Sequence, residues 1–382
     1  MNPNTSDISR DACMLVRDFA RRGYDWWWHS FTAEDAQTGI TKPFFIEFFL
    51  CNPDLAKDEP TFGLAEDGTR PADVEHCPSY LMVKVGTWGN DKCQLHRFFP
   101  WKDVEVGSGV PFYVQADDCL CCETDLIGRV EVTPEDAAAH PEWMSDAGSM
   151  LFDLHLDKRM AFNVGYGAND KMRSAQAFDM FWHAEGIKTL VSGTVVFNGR
   201  RYVVVPETSY GYSDKNWGRD FTTPWVWLSS WDLVSNVTGE RLENSVFEIG
   251  GGRPVVFGHA LDRKLLGCML YEGEEFEFNF SKPWTGSQTS FECYETDTEI
   301  IWHVDQETFG ARLITDIRCP KVDMLLMNYE SPDGKKRFSK LWNGGNGHGR
   351  IQLYRKQEAT WELVDDIAVN RAGCEYGEYD PE

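Results

Sequence analysis

One stretch of this chain crowds acid, base, amide and indole together: Tyr210-Gly211-Tyr212-Ser213-Asp214-Lys215-Asn216-Trp217-Gly218-Arg219-Asp220-Phe221, running on into Trp225-Val226-Trp227-Leu228. Charged groups carried into apolar surroundings must be paired or have shifted proton affinities, and such groups tend to mark reactive sites. Asp214 could give or take a proton, or pair with Lys215. Asn216 could orient a polar group, and Tyr212 supplies a hydroxyl. The faces of Trp217, Trp225 and Trp227 would stabilise a developing carbocation. The competing reading is a polar corner that merely pins two strands.

Three further places carry comparable chemistry. In Phe44-Phe45-Ile46-Glu47-Phe48-Phe49-Leu50, Glu47 interrupts an apolar strand. If it shares a face with Phe45 and Phe49, burial holds it protonated and makes it a general acid; if it points outward, it is a solvated or paired carboxylate. In Asp25-Trp26-Trp27-Trp28-His29, strand alternation places His29 beside Trp27, where it could relay a proton or simply bond the backbone. His183 and His303 have the same profile. Together these residues point to proton-initiated chemistry on an apolar, electron-rich molecule. Other templates fail, since the chain has no G-x-S-x-G elbow, P-loop, H-E-x-x-H or dinucleotide-binding glycine motif. Asn343 to Gly349 is glycine-rich but has no following helix, and reads as a loop. Cys119-Leu120-Cys121-Cys122 lacks a second pair at metal-finger spacing, so no metal or other cofactor is expected and the 11 cysteines read as free thiols.

The elements that would position these groups are mostly strands. Met150 to Asp157 alternates with period two, putting Phe152, Leu154 and Leu156 on one face and Asp153, His155 and Asp157 on the other. Asn198-Gly199 between two β-branched runs predicts a hairpin. Short strands recur from residue 44 to residue 367, the pattern of antiparallel meanders closing into barrels. Helix signals are confined to an amphipathic segment over 7–22 and a capped turn at Thr133-Pro134. At 382 residues the chain suits two domains, 1–205 and 206–382, divided where a β-branched strand ends at Pro206. The tetrapeptides Asp25-Trp26-Trp27-Trp28 and Asp214-Lys215-Asn216-Trp217, each followed by an aromatic strand, read as a hint of two related barrels. A formal charge of −24 disfavours nucleic acid and anionic lipid as partners. The acidic stretches 54–66 and 375–382 read as solubilising loop and tail. With no long apolar run and no secretory leader, the expectation is a cytoplasmic protein without a membrane span, as a monomer or homodimer.

On these residues the chain resembles the tocopherol cyclase-like family, and more distantly the hydroxyneurosporene-hydratase and AttH-type group. Tyr24 to His29 is similar to the family's E-W-W-Y-F opening, and Pro43 to Pro53 to its F-F-x-x-x-x-x-x-N-P segment, with Asn52-Pro53 in place. Trp182 to Gly199 and Tyr212 to Trp227 resemble the segment built on Y-x-E-K-(N/D)-W-G-x-x-F-P-x-x-W-x-W. The resemblance implies two lipocalin-like antiparallel β-barrels or half-barrels with few short helices and an apolar ligand cavity. It also implies cofactor-independent closure or hydration of a prenylated or polyene substrate by protonation of a C=C bond. Departures fall at Asp214 in place of Glu, at His29, at Phe221-Thr222-Thr223-Pro224 and at the C-terminal Tyr376-Gly377-Glu378-Tyr379. No plastid transit sequence is visible.

The expectation is therefore a cyclase, isomerase or hydratase of a hydrophobic, phenolic or prenylated small molecule. Asp214 or Glu47 would be its acid and His29 a partner base. Trp27, Trp217, Trp225, Trp227, Tyr212, Asn216 and His183 would line the substrate. The rivals are a non-catalytic lipocalin-like carrier and a solid-barrel scaffold. An enzyme needs a carboxyl or His in its cavity, a carrier an apolar cavity, and a scaffold none.

Overall fold

The computed structural model describes residues 5–63, 77–163, 165–166, 169–334 and 338–379. They form two antiparallel sheets, one of 12 strands and one of 11, beside a short pair at Val255–Val256 and His259–Ala260. The protein is mostly β, built from these two large antiparallel sheets. Only two short α-helices, Pro134–Ala139 and Asp170–Ser174, occur among the described residues. The first opens as the sequence predicts, with Thr133 accepting from the Asp136 amide and Pro134 at the first helical position. No helix among the described residues is long and apolar enough to cross a membrane.

The first sheet runs from Tyr24–Asp35 to Gly211–Gly218, the second from Trp225–Ser230 to Thr360–Tyr379. Gly211–Gly218 pairs with both Tyr24–Asp35 and Met180–Phe197 and so belongs to the first sheet. A division at 205/206 would strip that strand from both partners, and the chain changes sheets between Gly218 and Trp225. The two Trp-rich tetrapeptides are not equivalent parts of two barrels. They are neighbours in one sheet, with Asp25 opposite Trp217 and Trp28 opposite Asp214.

Burial follows the pleat. Among the described residues three apolar clusters form: one inside the first sheet around Trp27, Phe44, Leu154 and Trp217, one inside the second around Val226, Leu228, Trp302 and Ile367, and one between the sheets around Trp28, Trp182, Trp225 and Trp227. The 148–162 strand alternates as expected, with Phe152, Leu154 and Leu156 buried and Asp153 and Leu151 exposed. Asn198 and Gly199 take positive φ values of 48° and 78° and close the predicted hairpin.

Three sequence expectations are corrected. The 7–22 segment is two short 3-10 turns, Ile8–Arg10 and Arg17–Ala20, because Arg17 sits at φ 57° and breaks the helical path. The glycine-rich 343–349 stretch lies inside the Phe338–Gln357 strand, and residues 375–379 of the acidic tail belong to the Thr360–Tyr379 strand, with Glu375 buried; 380–382 lie outside the described residues. Glu66 lies outside the described residues; 54–63 is irregular apart from a single bridge at Thr61.

Candidate functional site

Alternation along Gly211–Gly218 sorts its side chains into two compartments. Tyr212, Asp214 and Asn216 face the space between the sheets, while Ser213, Lys215 and Trp217 face the first sheet's interior. Asp214 and Lys215 are adjacent in sequence and cannot pair. Lys215 instead pairs with Asp25, both fully buried, its ammonium 4.0 Å from the centre of the Trp27 ring and 5.3 Å from that of Trp217. His29 is in this same interior, its Nδ1 2.9 Å from Ser213 Oγ and its Nε2 3.7 Å from Cys121 Sγ. Burial and the nearby Lys158 hold its pKa well below the usual histidine value. His183 is also there, 3.2 Å from Asp11 and 3.0 Å from Ser6 Oγ. His303 lies at the surface against Asp316, 2.7 Å away. Four expected site residues, Trp27, His29, His183 and Trp217, are thus separated by the sheet from Asp214.

Between the sheets the arrangement is different. A lateral row crosses four strands of the first sheet: Asp214 opposite Trp28, Trp28 opposite Glu47, and Glu47 opposite Lys84. Glu47 is buried, accepts from Tyr329 Oη at 2.8 Å and lies 3.3 Å from Lys84 Nζ. The Lys84 ammonium sits 3.3 Å from the Tyr329 ring centre and donates to the Asn328 carbonyl. The second sheet supplies Trp225, Trp227 and Ser229 from one face of a strand paired on both sides, beside Glu248 and Glu375 on its neighbouring strands.

Three indoles each hold one carboxyl by the N–H edge. Trp182 donates to Asp214 at 2.9 Å, Trp227 to Glu248 at 3.1 Å, and Trp225 to Glu375 at 2.8 Å. Asn343 also donates to Glu375. The Asn216 amide lies beside Asp214, oriented so that its oxygen accepts from Trp26 Nε1 at 3.0 Å and its nitrogen donates to the Phe181 carbonyl. Tyr212 Oη is 3.2 Å from Asp214 Oδ2 and 3.0 Å from Glu248 Oε1. Burial drives Asp214 and Glu248 well above the usual carboxyl range, against the lowering effect of these hydrogen bonds. Burial likewise lifts Glu375 to about 7, with Glu47 adding repulsion, and raises Glu47 itself.

Among the described residues, a crevice adjoins the network and a surface cleft adjoins that crevice. A crevice of about 20 Å³, room for one or two waters, is walled by Tyr212, Trp227, Ser229, Trp231 and Trp88. A surface cleft of about 310 Å³ shares Pro43 and Trp88 with it.

No family model matches the sequence. Among curated proteins, the chloroplastic tocopherol cyclase of Zea mays is 31% identical over 207 residues, covering 52% of this chain and 40% of that protein. The probable chloroplastic tocopherol cyclase of Oryza sativa subsp. japonica is 30% identical over 110 residues, 29% of this chain and 22% of the relative.

The chain is similar to tocopherol cyclases.

The matched segments span less than half of those tocopherol cyclases' own length. Among solved structures, CghA with Sch210972 aligns over 100% of this chain and 96% of its own, at 11% identity and TM-score 0.49. Kievitone hydratase from Nectria haematococca aligns over 100% and 99%, at 11% identity and TM-score 0.42.

Of the expected site residues, the structure gathers Tyr212, Asp214, Asn216 and Glu47 of the first sheet and Trp225 and Trp227 of the second in the space between the two sheets. Sequence reasoning missed Glu248, Glu375, Trp182, Lys84 and Tyr329. Glu248 carried the same signal as Glu47, a single acid in the apolar run Val246-Phe247-Glu248-Ile249. Lys84 did too, in Met82-Val83-Lys84-Val85.

A separate carboxyl group lies inside the first sheet, where Asp11, Glu123 and Glu185 come within 4.8 Å of one another. These residues could offer oxygen ligands to a cation. The Lys158 ammonium, 2.7 Å from Glu123 and 3.0 Å from Glu185, already supplies positive charge there.

Proposed function

We propose that Asp214 and Glu248, joined through Tyr212, act as a buried general acid for a C=C bond in a hydrophobic, phenolic or prenylated small molecule. The observation that carries this reading is the Tyr212 hydroxyl standing between two buried carboxyl oxygens. A phenol has one hydrogen to donate. With Tyr212 donating to one carboxylate, the contact to the other is a hydrogen bond only if that carboxyl keeps its own proton and donates to the phenol oxygen. Burial raises the proton affinity of both carboxyls, which favours one transferable proton held on the pair, beside the indoles of Trp182 and Trp227.

The step balances without a cofactor. The carboxyl O–H proton moves to the less substituted alkene carbon, leaving a tertiary carbocation. A phenolic oxygen of the substrate then attacks to form the C–O bond, and its proton returns to the carboxylate. The result is an isomerisation; if water attacks instead, the product is the hydrate. The similarity to tocopherol cyclases supports the cyclase side of this choice. His29 has no part in this scheme, because it lies across the sheet from the acid. The proton on the phenol can return to the carboxylate that gave it. A non-catalytic carrier would line its cavity with apolar groups, whereas here the crevice wall includes Tyr212, whose hydroxyl contacts both carboxyls behind it.

The test is turnover of a 2-prenylhydroquinone in H2-18O and, separately, in D2O. Cyclisation leaves oxygen-18 out of the product and places one deuterium on the former alkene; hydration incorporates oxygen-18. Asp214→Asn and Glu248→Gln should each lower turnover by about 10²-fold or more. Undiminished turnover in both variants refutes the assignment.

A further inference from the structure

The acid network borders a crevice too narrow for a substrate. A crevice of about 20 Å³ holds no prenylated ring, whereas small-molecule sites run to roughly 300–1,000 Å³. The neighbouring surface cleft, at about 310 Å³, reaches that size. Pro43 and Trp88 line both spaces, and Gly345 of the crevice is followed directly by Asn346 of the cleft. The Trp88 ring therefore forms part of the wall shared by the cleft and the crevice that Tyr212 lines.

Trp88 belongs to the cluster between the sheets, beside Phe45 and Trp28, and three features set it apart there. It is 1% exposed, yet its Nε1 has no hydrogen-bond partner among the described residues. A buried indole N–H normally finds an acceptor, and leaving it without one is unfavourable. It stands at the start of the 88–92 turn, whose next residue, Gly89, sits at φ 97°, a conformation glycine adopts without penalty. Its ring also lies against Gly345, where an added Cβ would come within 2.5 Å of it. Gly345 falls where the pairing between the 338–357 and 360–379 strands breaks register, between Gly344 and Gly347. The glycine-rich motif thus gives the ring a smooth, locally irregular surface to turn against.

We infer that Trp88 is the door between the surface cleft and the acid network, and that its indole N–H is satisfied by an oxygen of the entering molecule, so that the substrate carries a phenolic or carbonyl oxygen beside its alkene. This rests on the proton-transfer reading for the choice of substrate class. The missing acceptor for Trp88 is the chemical evidence for that oxygen.

The experiment uses the full chain labelled with 5-fluorotryptophan and the probe 2,2-dimethylchroman-6-ol, followed by fluorine NMR. Trp88→Phe identifies the Trp88 resonance by its disappearance. That resonance should shift on titration of the wild type, and Trp88→Phe, which keeps a ring but loses the donor, should bind the probe roughly fivefold more weakly. Gly345→Ala, which leaves Trp88 in place but crowds its ring, should displace the Trp88 resonance in the free protein and guards against a folding defect in the first variant. A Trp88 resonance unmoved at saturation, or equal affinity in Trp88→Phe, overturns the inference. If the wild type also converts 2-prenylhydroquinone, the acid reading survives that loss. A Trp88 resonance that shifts in a protein inert toward the hydroquinone sinks the acid reading and leaves the door. A probe that binds nowhere at millimolar concentration overturns the door and the substrate class together.

Discussion

Glu375 shows how a single carboxyl in this interface couples proton and fold. Burial lifts it from 4.5 to about 7, so the folded chain keeps a proton that the unfolded chain releases above 4.5. Stability from this group is complete below pH 4.5 and is lost as pH rises to about 7. The difference corresponds to about 3 kcal/mol. Glu375→Gln should therefore flatten the fall in urea midpoint between those pH values relative to wild type; an unchanged slope contradicts the assignment. Glu375 also repels charge on Asp214, contributing to its raised proton affinity. In the same variant the falling basic limb of the turnover profile should move to lower pH, because Asp214 then ionises more readily. Asp214 and Glu47 were readable in the sequence as acids within aromatic runs. The partners that set their behaviour were not, since Glu248 and Glu375 lie 34 and 161 positions beyond Asp214 and meet the network only through the packing of the second sheet.

At the scale of strands, glycine does what no local pattern announces. Gly373 lies under the Trp227 ring, where a Cβ would sit 2.1 Å from it, and Gly250 lies under Trp182, where a Cβ would sit 2.8 Å away. Gly373→Ala should cost about 2 kcal/mol by overpacking and push Trp227 off Glu248. Chemical denaturation measures the first effect, and loss of turnover out of proportion to the change in stability measures the second. The strands that alternate visibly, such as 148–162, were legible because one face meets apolar core and the other water. The 343–349 segment was not, because its sides are covered by side chains from elsewhere, Trp88 over Gly345 and the Cys374 thiol near Gly344 and Gly347. The N-terminal segment misled for a related reason. Its apolar spacing fits a helix, but Asp11 is drawn inward to His183, its carbonyl accepts from Trp27 Nε1, and Arg10 donates to the Asn163 and Trp182 carbonyls. Tertiary partners replaced the helical ones.

For the molecule as a whole, the cluster between the sheets joins residues from both, including Trp28, Tyr80 and Trp182 from the first and Trp225, Val246 and Leu341 from the second. Neither sheet can keep that face dry alone. Calorimetry should show one unfolding transition for the full chain, with its calorimetric and van't Hoff enthalpies in agreement; two separated transitions would mean the sheets fold independently. The mostly-β, two-sheet architecture was readable from strand spacing and turn residues, but the sheet boundary was not. Gly211–Gly218 looks like the opening of something new because its composition changes abruptly, whereas its hydrogen bonds run back to residues 24–30. That octapeptide is buried along its whole length and touches two interiors. Randomising 212, 214 and 216 would explore new reactivity against a constant frame, because the backbone itself screens off 213, 215 and 217. Within eight residues, the face toward the second sheet and the face toward the first sheet's interior are separately heritable, and deletion of a single residue there would exchange the two.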